Sequence, residues 1–165
     1  ISSVSNITTD ASNLERINRW SCAIRMFKDK PWVGYGPGTY MFKYAPYQLT
    51  KDRTIISTNS ADGGNAHSEY LNPMAESGFM GLVIFLSLIG FVVFTALRAY
   101  KNLTDRRLKS LALTALISLF TYYFHGFLNN FLDTDKLSAP FWGFTAIIVF
   151  LDIYAQKQNE IHPIQ

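Results

Sequence analysis

Residues 79–97 and 110–128 carry no acidic or basic side chain across nineteen positions each, apart from the imidazole of His125 in the second. A helix of that length, rising 1.5 Å per residue, covers about 30 Å, which is the hydrocarbon thickness of a bilayer. Residues 139–155 form a shorter apolar run broken by Asp152. Buried helices of a soluble protein are the alternative, and two uncharged runs of this length in 165 residues argue against it. The mean hydropathy of +0.08 averages two unlike halves, because residues 1–77 are polar and mixed in charge. The expected fold is all-α and polytopic: a loop domain over 1–77, membrane helices near 79–97, 110–128 and 139–155, and a tail over 156–165.

The loops set the orientation. Arg98, Lys101, Arg106, Arg107 and Lys109 oppose only Asp105 between the first two runs, whereas Asp133 and Asp135 outnumber Lys136 between the second and third. The positive-inside rule puts 98–109 and the tail in the cytoplasm. Residues 1–77 and 129–139 then face outward, to the periplasm of a Gram-negative cell. A single cysteine, Cys22, allows no intrachain disulfide. The opening residues have neither a basic stretch nor an apolar core like that of a signal peptide, so the chain is expected to be the C-terminal piece of a larger polytopic protein.

Within the outer part, Ser12 and Glu15 read as a capping box. Leu14, Ile17, Trp20, Ile24 and Phe27 follow at helical spacing, making an amphipathic helix that ends near Pro31. Arg16 and Arg19 share a face of it. Paired guanidinium groups suit a diphosphate, and a solvated basic face pairing with Glu15 or Asp29 is the plainer alternative. Residues 31–38 form a turn-rich loop in which Gly34 and Gly36 permit close backbone approach, without the lysine of a nucleotide-binding loop. Tyr40, Phe42, Tyr44 and Tyr47 read as an interfacial anchor or a sugar-stacking cluster. Residues 50–65 read as a mobile polar loop.

Asn65 is expected to cap a helix whose first turn carries His67, with the helix dipole keeping the imidazole neutral, and Pro73 to interrupt that helix. Gly78 and Gly81 then allow turning and close packing into the first apolar run. His125 reads as an interfacial histidine. Asp133-Thr134-Asp135 matches an Asp-x-Asp metal signature, but an acidic outer loop before a helix start near Pro140 is preferred. No Cys/His cluster or serine nucleophile elbow is present.

His67-Ser68, nine residues, then Gly78-Phe79-Met80-Gly81 is similar to the signature of the O-antigen ligase and polymerase superfamily. Glu15-Arg16 with Trp20, and the stretch from Asp29 and Pro31 through Gly34 to Gly36, resemble that family's upstream elements in the same order. The resemblance covers residues 14–97. It implies a GT-C-like membrane glycosyltransferase that moves a glycan from an undecaprenyl-diphosphate carrier to an acceptor hydroxyl at the outer face of the inner membrane. It implies neither metal, cofactor nor nucleic acid. Arg16 and Arg19 would then stabilise the departing diphosphate, His67 would accept the acceptor's proton or orient the acceptor, and Asp133 would be an acidic contributor. Leu82 stands where ligases proper usually carry a small or β-branched residue, so ligase, polymerase and protein O-oligosaccharyltransferase all remain open. A non-catalytic polytopic protein, such as a transporter subunit, is the rival class.

Overall fold

The computed structural model describes residues 11–58 and 64–161. The chain's opening segment, part of the polar 50–65 loop and the end of the tail lie outside them. All the regular elements among the described residues are helical: α1 (Ala11–Asp29), α2 (Tyr40–Lys43), short 3-10 turns at Ala45–Tyr47 and Thr50–Asp52, then α3 (Leu71–Asn102), α4 (Arg106–His125) and α5 (Asp135–Ile161). They form two units, Ile1–Phe85 with Gly126–Asn130, and Leu86–His125 with Phe131–Gln165.

In the first unit α1 does not bury the apolar stripe that the spacing picks out. Its buried residues are Glu15, Asn18, Cys22, Ala23 and Met26, while Ile17 is 46% and Ile24 40% exposed. Small and polar side chains let α1 sit close to Tyr40, Tyr44, Ala66 and Ala75, with which Cys22, Ala23 and Met26 form a core. The tyrosines depart from the anchor reading in the same way. Tyr40 and Tyr44 are buried and stacked at 5.4 Å. Burial is affordable because each hydroxyl has a partner: Tyr40 donates to the Arg19 carbonyl at 2.7 Å, and Tyr44 meets Thr58 Oγ1 at 2.6 Å. Tyr35 and Tyr47 both bond the Asp29 carboxylate.

The helix after His67 also starts and breaks elsewhere than expected. Its cap is Ser68, whose Oγ accepts from the N–H groups of Tyr70 and Leu71 at 3.3 Å each. His67 therefore precedes the helix. Pro73 sits in the first turn, where its missing N–H has no intrahelical partner to lose, and the helix runs through it. The break comes at Gly78, with φ 65° and ψ −154°.

In the second unit Val92 and Ala96 of α3 pack with Leu116 and Leu119 of α4 and Phe141 and Ile148 of α5. Ala99, Ala112 and Ala155 add close contacts, small side chains admitting near approach of the helices. Asp152, the charge that weakens the third apolar run, is 3% exposed and takes Arg98 Nε at 2.8 Å and Nη2 at 2.6 Å. α5 begins at Asp135, ahead of the start expected near Pro140. Among the described residues, two helices are long and apolar enough to cross a membrane, Leu71–Asn102 and Asp135–Glu160. α4 opens on Arg106 and Arg107, which shortens its apolar stretch.

Candidate functional site

The loop after α1 and the start of α3 are fastened to each other by glycines and one carboxylate. Gly36 N–H donates to the Glu76 carbonyl at 2.7 Å. The Glu76 side chain, 8% exposed as a residue, accepts from the backbone N–H groups of Gly38 and Tyr40 at 2.9 Å each. A Cβ on Gly34 would lie 2.3 Å from the Glu76 carbonyl carbon, so only glycine lets this loop approach the helix. Gly78 does the same on the other side. A Cβ there would meet the Trp32 carbonyl carbon at 2.5 Å, and the next residue's N–H, that of Phe79, donates to the Pro31 carbonyl at 2.7 Å. Gly81 follows the break, its missing Cβ facing Ser77 Cβ at 2.5 Å. Glu76 is a structural residue that the sequence pattern did not single out; its position inside the nine-residue spacer gave no signal.

His67 sits in a tight turn with φ +48°, the left-handed region that a non-glycine residue enters only when its surroundings hold it there. Its N–H donates to Asn65 Oδ1 at 3.0 Å, and its carbonyl accepts from Trp20 Nε1 at 3.4 Å. Asn72 Oδ1 takes the Ala66 N–H at 3.2 Å, and the Glu69 N–H reaches the Gly126 carbonyl at 2.8 Å. The turn is thus gripped from α1, α3 and residues 126–130.

Arg19 is the grip from α1. Its Nε lies 3.1 Å from Glu15 Oε1, its Nη1 donates to the Asn65 carbonyl at 3.3 Å, and its guanidinium lies over the Tyr44 ring at 5.1 Å. A Cβ at Gly64 would stand 1.6 Å from Arg19 Nη1, so a larger residue there would displace the guanidinium. The plainer reading of Arg19, a pairing with Glu15, is what the geometry shows, although the pair is largely buried and not solvated. Arg16 differs. Its single hydrogen bond among the described residues is a long one, Nη1 to the Leu128 carbonyl at 3.4 Å, leaving most of its donors available.

Glu15 anchors the cluster. Burial pushes its carboxyl up, but hydrogen bonds from Ser57, Arg19, Thr54 and Asn18 outweigh that and hold it below the ordinary value of 4.5. Burial first, then the positive charges of Arg19 and Arg16, hold the His67 imidazole below the ordinary 6.5, against the opposing charge of Glu15. His67 stands one residue before the Ser68 cap and not in the first turn of the helix, as the spacing had suggested. In the first unit Arg19 holds the His67 turn through Asn65, and Arg16 lies near enough for its charge to be felt at the imidazole.

The model of a protein family described as O-antigen ligase matches residues 1–86, just over half of the chain. The chain belongs to the O-antigen ligase family. No curated protein and no solved structure matches it. Membership makes it one of a family of glycan-transferring membrane proteins that act in O-antigen and related polysaccharide assembly. The match spans the whole cluster, from Glu15 to Gly81.

Asp133 and Asp135 fall in the second unit and are exposed, Asp135 opening α5. His125, at the end of α4, is exposed beside the ring of Phe131 at 6.2 Å.

Proposed function

We propose that this chain carries the reacting groups of a GT-C-type transferase, which moves an oligo- or polysaccharide from an undecaprenyl-diphosphate carrier to an acceptor hydroxyl at the outer face of the inner membrane. The acceptor oxygen attacks the anomeric carbon, the bond from that carbon to the diphosphate oxygen breaks, and configuration inverts. His67 takes the hydroxyl proton. The electron pair leaves with the lipid diphosphate, whose charge Arg16 stabilises. Arg19, held in place by two of its donors on Glu15 and Asn65, adds positive potential and holds the turn, so the pair divides its work.

The observation that carries this reading is the His67 turn: a left-handed, half-buried histidine kept neutral beside two arginines, one of them with donors to spare. A base must be unprotonated at working pH and a leaving diphosphate needs a cation nearby. One arrangement meets both requirements.

The test is complementation of a strain lacking surface polysaccharide with His67→Ala and Arg16→Ala in the full-length protein, scoring membrane abundance alongside product. Loss of transfer at unchanged abundance is expected, and unchanged transfer in both variants refutes the reading. The lipid-linked species that accumulates separates the acceptors: carrier-bound polymer marks a ligase and single repeat units a polymerase.

A further inference from the structure

The outward side of the first unit carries an apolar surface that glycan transfer does not use. It starts on the exposed stripe of α1, at Ile24, and runs through Phe27 to Trp32 and Val33, which are 70% and 73% exposed. Trp32 packs edge-on against Phe79 at 6.3 Å. Phe27, Pro31, Trp32 and Phe79 line a shallow cavity of about 170 Å³. Nothing polar contributes to these linings, and an exposed patch of large apolar side chains on a folded unit marks a contact surface.

Continuity and charge both say what covers it. Phe79 is the first residue of the charge-free run of α3, so the contact with Trp32 puts the loop tip level with the point where that helix becomes apolar. Lys28 and Lys30 stand exposed on either side of Asp29, whose carboxylate Tyr35 and Tyr47 keep ionised, so two lysines outnumber one carboxylate at the rim. An apolar centre with tryptophan and a lysine rim matches the boundary between acyl chains and anionic headgroups. The Gly34 and Gly78 contacts fix the loop on α3, so the tip is presented ready-formed.

We propose that the 30–33 loop tip and the outer stripe of α1 are seated in the lipid interface, with Trp32 and Val33 among the acyl chains and Lys28 and Lys30 at the headgroups. The seat brings α1, and with it Arg16, to the depth at which a lipid-borne diphosphate lies. It rests on α3 crossing the bilayer and not on the transfer chemistry.

The test uses the full chain in vesicles containing anionic lipid, with Val33→Cys carrying an environment-sensitive fluorophore. Cys22 does not compete for the label, being buried with its thiol pushed up to about 11. Spin labels on the lipid acyl chains are expected to quench the Val33 label about two-fold or more, and aqueous iodide to leave it bright. Ile24→Cys should behave likewise, while Lys51→Cys in the polar Thr50–Asp52 turn should show the reverse. Iodide quenching at Val33 equal to that at Lys51 would overturn the proposal. So would emission that ignores the spin labels and follows the protein-to-lipid ratio, which would assign the surface to a second copy. Adding His67→Ala should change none of this, separating lipid seating from the catalytic reading.

Discussion

Replacing Gly34 and Gly38 separately by alanine isolates the contact that joins the glycine loop to α3. Both residues have left-handed backbones, φ +63° and +72°. Placing an L-residue there costs about 1–2 kcal/mol, of which about 0.4–1 kcal/mol is returned because alanine restricts the unfolded chain. Gly38→Ala should stop at that, near 1 kcal/mol, because nothing lies within 4 Å of its Cβ. Gly34→Ala must also move backbone, since its Cβ would lie 2.3 Å from the Glu76 carbonyl carbon and oxygen and 2.6 Å from the Ser77 nitrogen. Overpacking of that kind adds about 1–3 kcal/mol, so the two variants should differ roughly ten-fold or more in the population of opened first unit. Proteolysis of the detergent-solubilised protein, with cleavage read at the 31–40 loop, measures that population. Equal protease sensitivity in the two variants would refute the inference that Gly34 is required by the close approach to Glu76.

Three further outcomes follow from the charges. Arg19→Gln removes a positive charge that depresses His67, so the acidic limb of the transfer rate should move to higher pH; an unmoved limb in a pH-rate profile would disconnect Arg19 from the base. In the unsubstituted protein the first unit should lose stability as pH falls below 6.5 through the lowered native value, because the unfolded chain takes the proton first. In the second unit, Arg98→Leu should destabilise packing by leaving Asp152 buried without its partner, and Arg98→Leu with Asp152→Leu should recover most of the loss in thermal unfolding.

The apolar runs announced the long helices because an uninterrupted absence of charge is a one-dimensional signal. Arginine spacing likewise placed Arg16 and Arg19 on neighbouring faces of α1. What the pattern misread was direction. The stripe of Ile17 and Ile24 looked like a core face, yet α1 buries Asn18, Cys22 and Met26, because its neighbours offer tyrosines and hydrogen-bond partners, Gln48 Oε1 meeting Asn18 Nδ2 at 2.9 Å. Tyr40 and Tyr44 looked interfacial for want of any sign that their hydroxyls would find partners inside. Glu15 and Glu76 were invisible as hubs, since a buried carboxylate is defined by donors from elsewhere in the chain: Ser57 and Thr54 for one, Gly38 and Tyr40 for the other. The lowered basicity of His67 was foreseen from its place at a helix start, but burial and the Arg19 and Arg16 charges, which depend on the folded chain, were not.

The spacing of the family signature acquires a mechanical meaning from these contacts. Ser68 starts the helix, and the residues between it and Gly78 make the turns that carry Glu76 and Gly78 onto the Pro31–Gly38 backbone. There one carbonyl, one carboxylate and two missing Cβ atoms secure the loop. At the other end of the same segment, Arg19 and Trp20 hold the Asn65 and His67 carbonyls from α1. Inserting or deleting a residue between Ser68 and Gly78 would rotate Glu76 by about 100° around the helix and take its carboxylate off the Gly38 and Tyr40 N–H groups. The loop, α1 and the His67 turn are then one mechanical piece. A lysine at position 19 would keep the charge felt at His67 but lose the fork that reaches Glu15 and Asn65 together, and so would distinguish the potential at the imidazole from the geometry of the turn.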